Sequence, residues 1–165
     1  MAALLSILII FLIFGIFVSI FFVIAVSDAK VRQKNELYTL ESLPHNVTIK
    51  AVVRYNIGRP QGRFLKMKSF QGSGVLYVQG EQLIFKDILG NEDHTFDLQT
   101  CKMSWVENKI NGITNAFKVA DHEAIIFFYT DKGVFKAIEE NVSTSDLYIR
   151  LKELRKAIRN SKKAE

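Results

Sequence analysis

The first charged side chain of this protein is Asp28. Residues 2–26, AALLSILIIFLIFGIFVSIFFVIAV, are interrupted only by Ser6, Gly15 and Ser19. Coiled as a helix, such a stretch spans about 37 Å at ~1.5 Å per residue, more than the ~30 Å hydrocarbon core of a bilayer. A secretory signal peptide is the competing reading, with Ala25-Val26-Ser27 as a small-residue cleavage site. The apolar stretch is far longer than the ~7–15 residues of a signal h-region, and a positive n-region is missing. A transmembrane anchor over 1–27 is the expectation. Lys30, Arg32 and Lys34 follow the span, with only the α-amino group ahead of it. The positive-inside tendency then puts the C-terminal part in the cytoplasm, and a single cysteine, Cys101, agrees with a reducing compartment. Two sequons, Asn46-Val47-Thr48 and Asn141-Val142-Ser143, point the other way. Such triplets also arise by chance, so a cytoplasmic domain is expected.

The remaining residues are ordinary globular material. Residues 28–45 read as a polar connector closed by Pro44, which disfavours helix at Leu43. As a flexible coil the connector would span about 23 Å r.m.s.; alternatively, part of it continues the anchor as helix. From Val47 the pattern changes to short strands bounded by turn residues. The candidates are 47–55, 63–70, 75–79, 82–86, 94–98, 102–107, 113–119, 124–130 and 134–138. GSGVLYVQGEQLIFKD (72–87) is the clearest hairpin, with Gly80 free to take a positive φ. Spacings near ten residues suit an antiparallel barrel or sandwich. Leu147, Leu151, Leu154 and Ile158 then recur at helical spacing. Ser143, Thr144 or Ser145 can cap that helix, and Arg155, Lys156, Arg159, Lys162 and Lys163 suit its C-terminal end. The expected fold is mainly β: about seven antiparallel strands and one C-terminal helix over 46–165, behind an N-terminal transmembrane helix.

Gly74-Val75-Leu76-Tyr77-Val78 through Leu83-Ile84-Phe85, with His94–Leu98, the Trp105 strand and the terminal helix, resembles the pleckstrin-homology-like (PH-like) superfold. Within it, GRAM-type and small bacterial PH-like domains are the most similar. The resemblance covers about residues 46–160. It implies a barrel capped by the helix and a non-enzymatic binding module. Here it stands behind an anchor that already supplies membrane affinity.

Charge is unevenly distributed. Residues 28–68 carry a net +6, 69–145 a net −5 and 146–165 a net +4. No acid lies between Ser42 and Gly80, where Lys50, Arg54, Arg59, Arg63, Lys66 and Lys68 all occur. Cations beside an anionic leaflet gain about 1 kcal/mol each, so these six form the candidate lipid- or anion-binding set. The resemblance implies a phosphoinositide-gripping loop in this region, and Lys66-Met67-Lys68 resembles its second-strand basic pair. The plain alternative is a solvated strand face.

Nucleic acid is disfavoured, since the aromatics Tyr55, Phe64 and Phe70 among the basic strands suit a β core. His45, His94 and His122 lack metal-ligand spacing. Asp93-His94 and Asp121-His122-Glu123 read as solvated turns, GRPQG and GSG lack the lysine of a phosphate loop, and no carboxylate pair or cofactor motif stands out. AIIFFYT (124–130) suits a central strand or a protein-facing edge. The functional expectation is a membrane-anchored, non-enzymatic module that contacts anionic lipid or a protein partner. The alternative is an accessory or scaffold subunit of a membrane complex, with Ser6, Gly15 and Ser19 permitting close helix contact.

Overall fold

The computed structural model describes residues 2–60, 70–90, 93–107, 115–130 and 142–162. Two compact units divide the chain, residues 1–35 and 36–165. In the first, the uncharged stretch is helical and belongs to α1 (Ala2–Glu41). This helix is long and apolar enough to cross a membrane, and none of its apolar window is buried. Phe14, Phe21 and Phe22 are each about two-thirds exposed, a pattern that water does not tolerate over a whole helix surface. The Ser19 hydroxyl donates to the Gly15 carbonyl at 2.8 Å, so its polarity is met inside its own helix. The connector takes the helical alternative as far as Glu41. The helix closes where Ser42 N–H donates to the Tyr38 carbonyl and Leu43 N–H to the Leu40 carbonyl, just before Pro44.

Seven strands follow in the second unit: β1 (Val47–Ile57), β2 (Gly72–Gln79), β3 (Gln82–Asp87), β4 (His94–Asp97), β5 (Lys102–Val106), β6 (Ala116–Ala120) and β7 (Ile125–Tyr129). All pairings are antiparallel, and the order across the sheet is β4-β3-β2-β1-β7-β6-β5. Among the described residues every strand therefore pairs with its chain neighbour except at β4–β5, and the first strand pairs with the last described one. The order is cyclic with one break.

Local chemistry explains much of this register. Gly80 has φ +59° while Glu81 does not share a positive φ, the requirement of a two-residue II′ hairpin turn, and Gln79 faces Gln82 across it. Gly74 sits opposite Asp87; a Cβ there would run into the Phe85 ring and come within 2.6 Å of the Lys86 carbonyl oxygen. The strand expected at 63–70 falls almost wholly outside the described residues, and that at 134–138 entirely so. The sheet pairs β1 directly with 72–79 on one side and with β7 on the other. AIIFFYT thus supplies a central strand, between β1 and β6.

One face of the sheet is the core. Ile49, Ala51, Val53, Tyr55 and Ile57 alternate inward from β1, as the period of two requires. Rings then meet in succession: Tyr55 edge-on to Phe85 at 4.7 Å, Phe85 to Phe128 at 5.2 Å, and Phe128 to Phe117 at 5.5 Å. Tyr148 of α2 (Thr144–Ser161) lies 6.0 Å from Phe117 and 5.6 Å from Trp105. Leu147 and Leu151 of α2 are buried in this core, and Leu154 and Ile158 pack against it, the stripe read from the sequence.

The helix is pinned at both ends. Ser143 is its N-cap, accepting from the Asp146 N–H at 3.1 Å, and the buried Thr144 hydroxyl accepts the Thr130 N–H at 3.0 Å. At the other end, α2 lies over the turn joining β4 to β5. Arg155 Nε donates to the Leu98 carbonyl at 2.9 Å, and its Nη2 to the Cys101 carbonyl. Arg159 holds the Gln99 carbonyl through Nε at 3.1 Å and Nη2 at 2.7 Å. The break in the sheet is where the helix binds.

Two substitutions test this account. Gly74→Ala should destabilise the domain by about 2 kcal/mol or more, because backbone as well as the Phe85 ring must move. Arg155→Met should cost about 1–3 kcal/mol by stranding two carbonyls, with Arg155→Lys recovering only part, since an ammonium lacks the planar fork. Urea unfolding followed by circular dichroism reads both; wild-type midpoints would contradict the packing described.

Candidate functional site

The structure gives the three described candidate cations different settings. Lys50 is exposed on β1, paired in register with Tyr77. Arg54 is half-buried in mid-strand, between Ser73 on β2 and Tyr129 on β7. Both point away from the core face. Four residues of strand separate them by about 13 Å at ~3.3 Å per residue. Arg59 is exposed beyond the end of β1, after Gly58 turns the chain at φ +75°. Lys50 and Arg59 therefore serve opposite ends of the strand. Arg63, Lys66 and Lys68 lie outside the described residues.

A concave feature sits at the Lys50 end. A cleft of about 390 Å³ is bounded by the end of α1 and the following loop, the start of β1, and the first turns of α2. Leu40, Leu43, Val47, Ile49, Val142 and Leu147 contribute aliphatic side chains, but the surface it presents is more polar than apolar. Ile49 and Leu147 belong to the core assembly, so the floor of the cleft is the outer skin of the core. His45, Lys50 and Arg150 bring basic groups, against the carboxylate of Glu41. The volume lies within the ~300–1,000 Å³ typical of ligand sites. Of these residues, sequence reasoning placed only Lys50 in the candidate binding set. Arg150 lies a hundred positions further on, and its only local signal is its place three residues after the buried Leu147, at the edge of the helix's apolar stripe.

Other reactive side chains have structural work. Cys101 is buried in the core; burial pushes its thiol up, with the Arg155 guanidinium opposing, so it stays protonated and unreactive at neutral pH. The Asp121 carboxylate accepts the N–H groups of Glu123 and Ala124, each at 2.8 Å. Desolvation raises its pKa, but those backbone bonds and the neighbouring His122 outweigh it and leave the group below the ordinary carboxylate value. Asp121 thus shapes its own turn. Burial, with Asp93 adding repulsion, pushes the Tyr77 phenol up. Among the described residues no three His, Cys, Asp or Glu side chains cluster as metal ligands would.

Comparison with known proteins returns no match: no family model, no curated protein and no solved structure aligns with this chain. The case for function rests on the geometry.

The Asp121 turn yields a pH prediction. A carboxyl depressed on folding contributes stability above its unfolded value, near ~4, and loses it as pH falls through the lower folded value. Asp121→Ala should cost about 0.5 kcal/mol at neutral pH, at the low end for a capping carboxylate because the turn is solvated. The gap from wild type should close as the pH is lowered beneath that unfolded value and through the lower folded one. Thermal unfolding across that range measures it; a gap independent of pH would remove Asp121 from the account.

Proposed function

We propose that this protein is a single-pass, membrane-anchored, non-enzymatic binding module whose C-terminal domain works against an anionic membrane surface. One observation carries the reading. An exposed, uncharged apolar helix is followed by Lys30, Arg32 and Lys34, and then by a domain that leaves Lys50 and Arg59 exposed on its first strand and turn. Juxtamembrane and domain cations then share one leaflet, where each gains about 1 kcal/mol from the surface potential. The domain is read as cytoplasmic on the same charge pattern.

The strand order supports the PH-like reading of the domain. A seven-stranded meander whose first and last strands pair, with a C-terminal helix at its one break, is the arrangement that the sequence resemblance implies. Such modules bind through loops and edges, with no catalytic constellation required. In this reading the turn after β1 that carries Arg59 faces lipid headgroups.

The second reading, an accessory subunit of a membrane complex, draws on a different observation. Among the described pairings β4 and β5 each have a neighbour on one side only, and β5 presents Lys102, exposed, and Ser104, half-buried. A partner strand could add there. The intrahelical bond of Ser19 takes away one polar reason for the anchor to seek a partner.

Flotation separates these readings. The compact unit 36–165, which carries its own core, is mixed at low salt with vesicles of phosphatidylcholine alone or with graded phosphatidylserine or phosphoinositide. Co-flotation should rise with anionic content, fall at high salt, and drop several-fold when Arg59, Arg63 and Lys66 are reversed to Glu. Failure to float at low salt on any anionic vesicle would overturn the lipid reading and leave the partner-protein reading, which co-purification from mild detergent then tests.

A further inference from the structure

The cations of α2 fall into two groups. Arg155 and Arg159 are committed to the carbonyls of the β4–β5 turn, and Lys162 to Glu81 at 3.1 Å. Lys152 and Lys156 are exposed, and neither makes an ion pair or a side-chain hydrogen bond with a described residue. At about 100° per residue, Ser145, Ile149, Lys152 and Lys156 share an arc of about 60° on the helix surface. All four are exposed. Leu147 and Leu151, buried in the core, lie on the opposite side of the helix, so the arc points out of the domain. Asp146 and Glu153, the acids of the helix, stand about 90° and 70° round from the centre of the arc. The result is an outward strip with two neighbouring lysines, one isoleucine and no carboxylate.

Composition and place indicate what the strip meets. Ile149 is 47% exposed, beside lysines whose aliphatic stems can lie along an apolar boundary while their ammonium groups reach polar partners. That combination suits the headgroup layer of a bilayer. A soluble polyanion such as RNA would leave Ile149 unused, and the strip offers no aromatic ring for a base. The chain between the uncharged span and the unit carrying α2 is residues 28–35, all within α1. As helix those eight residues rise about 12 Å, of the order of the ~8 Å Debye length at physiological salt. The unit is thus tethered at the edge of the leaflet's surface potential. The Arg59 turn meets that potential less cleanly. Gly58 N–H donates to the Ile125 carbonyl at 2.7 Å, which sets it beside the β6–β7 turn and the carboxylates of Asp121 and Glu123.

We propose that the outward strip of α2 docks on the anionic leaflet that holds the anchor, with Lys152 and Lys156 on lipid phosphates and Ile149 in the headgroup layer. The proposal rests on the membrane-module reading and adds to it a contact on a different element from the Arg59 turn.

The full chain in lipid nanodiscs tests it. Asn160→Cys puts a thiol beside the strip, Cys101 being buried, and carries a bimane label; phosphatidylcholine spin-labelled in its headgroup is the quencher. Quenching should be strong in discs containing phosphatidylserine, weak in phosphatidylcholine alone, and reduced by salt. Lys152→Gln with Lys156→Gln should lower the ratio of docked to undocked domain by about tenfold or more, and Lys152→Arg with Lys156→Arg should retain it. Both positions are exposed and both replacements are good helix formers, so the variants should keep the wild-type unfolding temperature. Quenching indifferent to phosphatidylserine or to the glutamine pair overturns the proposal. Release of the label by polyuridylate, at a charge equal to that of the phosphatidylserine, also overturns it, because the strip then prefers a soluble polyanion. If the unit 36–165 floats on anionic vesicles but the label is not quenched, the α2 contact falls and the surface reading stands. If both fail, both fall.

Discussion

The β-domain depends on two guanidinium groups at the break in the described strand order, between β4 and β5. A meander whose first and last strands pair leaves a single break, here between β4 and β5. The chain crosses that break in the short turn 98–101, whose carbonyls at Leu98, Gln99 and Cys101 would otherwise point to no backbone donor. Arg155 and Arg159 take all three. Asp97 shapes the turn from within, its side chain accepting from Gln99 N–H at 2.8 Å and its carbonyl accepting from Cys101 N–H at 2.8 Å. Charge-assisted bonds are about twice as strong as neutral ones, and these work at the rim of the core, beside the buried Leu98 and Cys101. With the helix fixed there, Leu147, Leu151 and Tyr148 complete the core that the open sheet lacks.

This constraint also shapes the candidate site. The C-terminal half of α2 is spent on the break, whereas its first turns lie over the start of β1. Arg150 falls in that first half and Arg155 in the second, five residues apart on one helix and with different duties. The cleft exists because the loop around Pro44 and the start of β1 meet α2 above the core surface formed by Ile49 and Leu147. The membrane side of the account is independent of this packing: it rests on an uncharged helix and the cations that follow it.

Local features were legible in the sequence. The 72–87 hairpin obeys a two-residue turn rule centred on Gly80, and α2 shows its stripe and its Ser143 cap in consecutive residues, so short-range physics suffices for both. The helical extension of α1 was one of two open alternatives for the connector, because a polar, lysine-rich stretch suits helix and coil alike. The β1–β7 pairing and the Arg155 contacts were not legible. Arg155 binds carbonyls 57 and 54 residues away, and in the sequence it reads only as a cation suited to a helix end. The cleft was hidden for the same reason, its lining from the Pro44 loop, β1 and α2 meeting only once the sheet and α2 are in place. Three of the six candidate cations, Arg63, Lys66 and Lys68, lie outside the described residues, and the other three are spread along β1 and the turn after it, where a linear charge count had drawn them together.

The central claim is that residues 2–26 cross a membrane and leave the β-domain on the cytoplasmic side. Translation of the full chain into microsomes tests it most directly, because Asn46 sits exposed in a turn within a glycosylation triplet. The account predicts a protein that resists alkaline carbonate extraction, whose domain is digested by protease added outside, and whose Asn46 carries no glycan. Extraction into the supernatant, or a protease-protected domain bearing an endoglycosidase-sensitive glycan at Asn46, would contradict it.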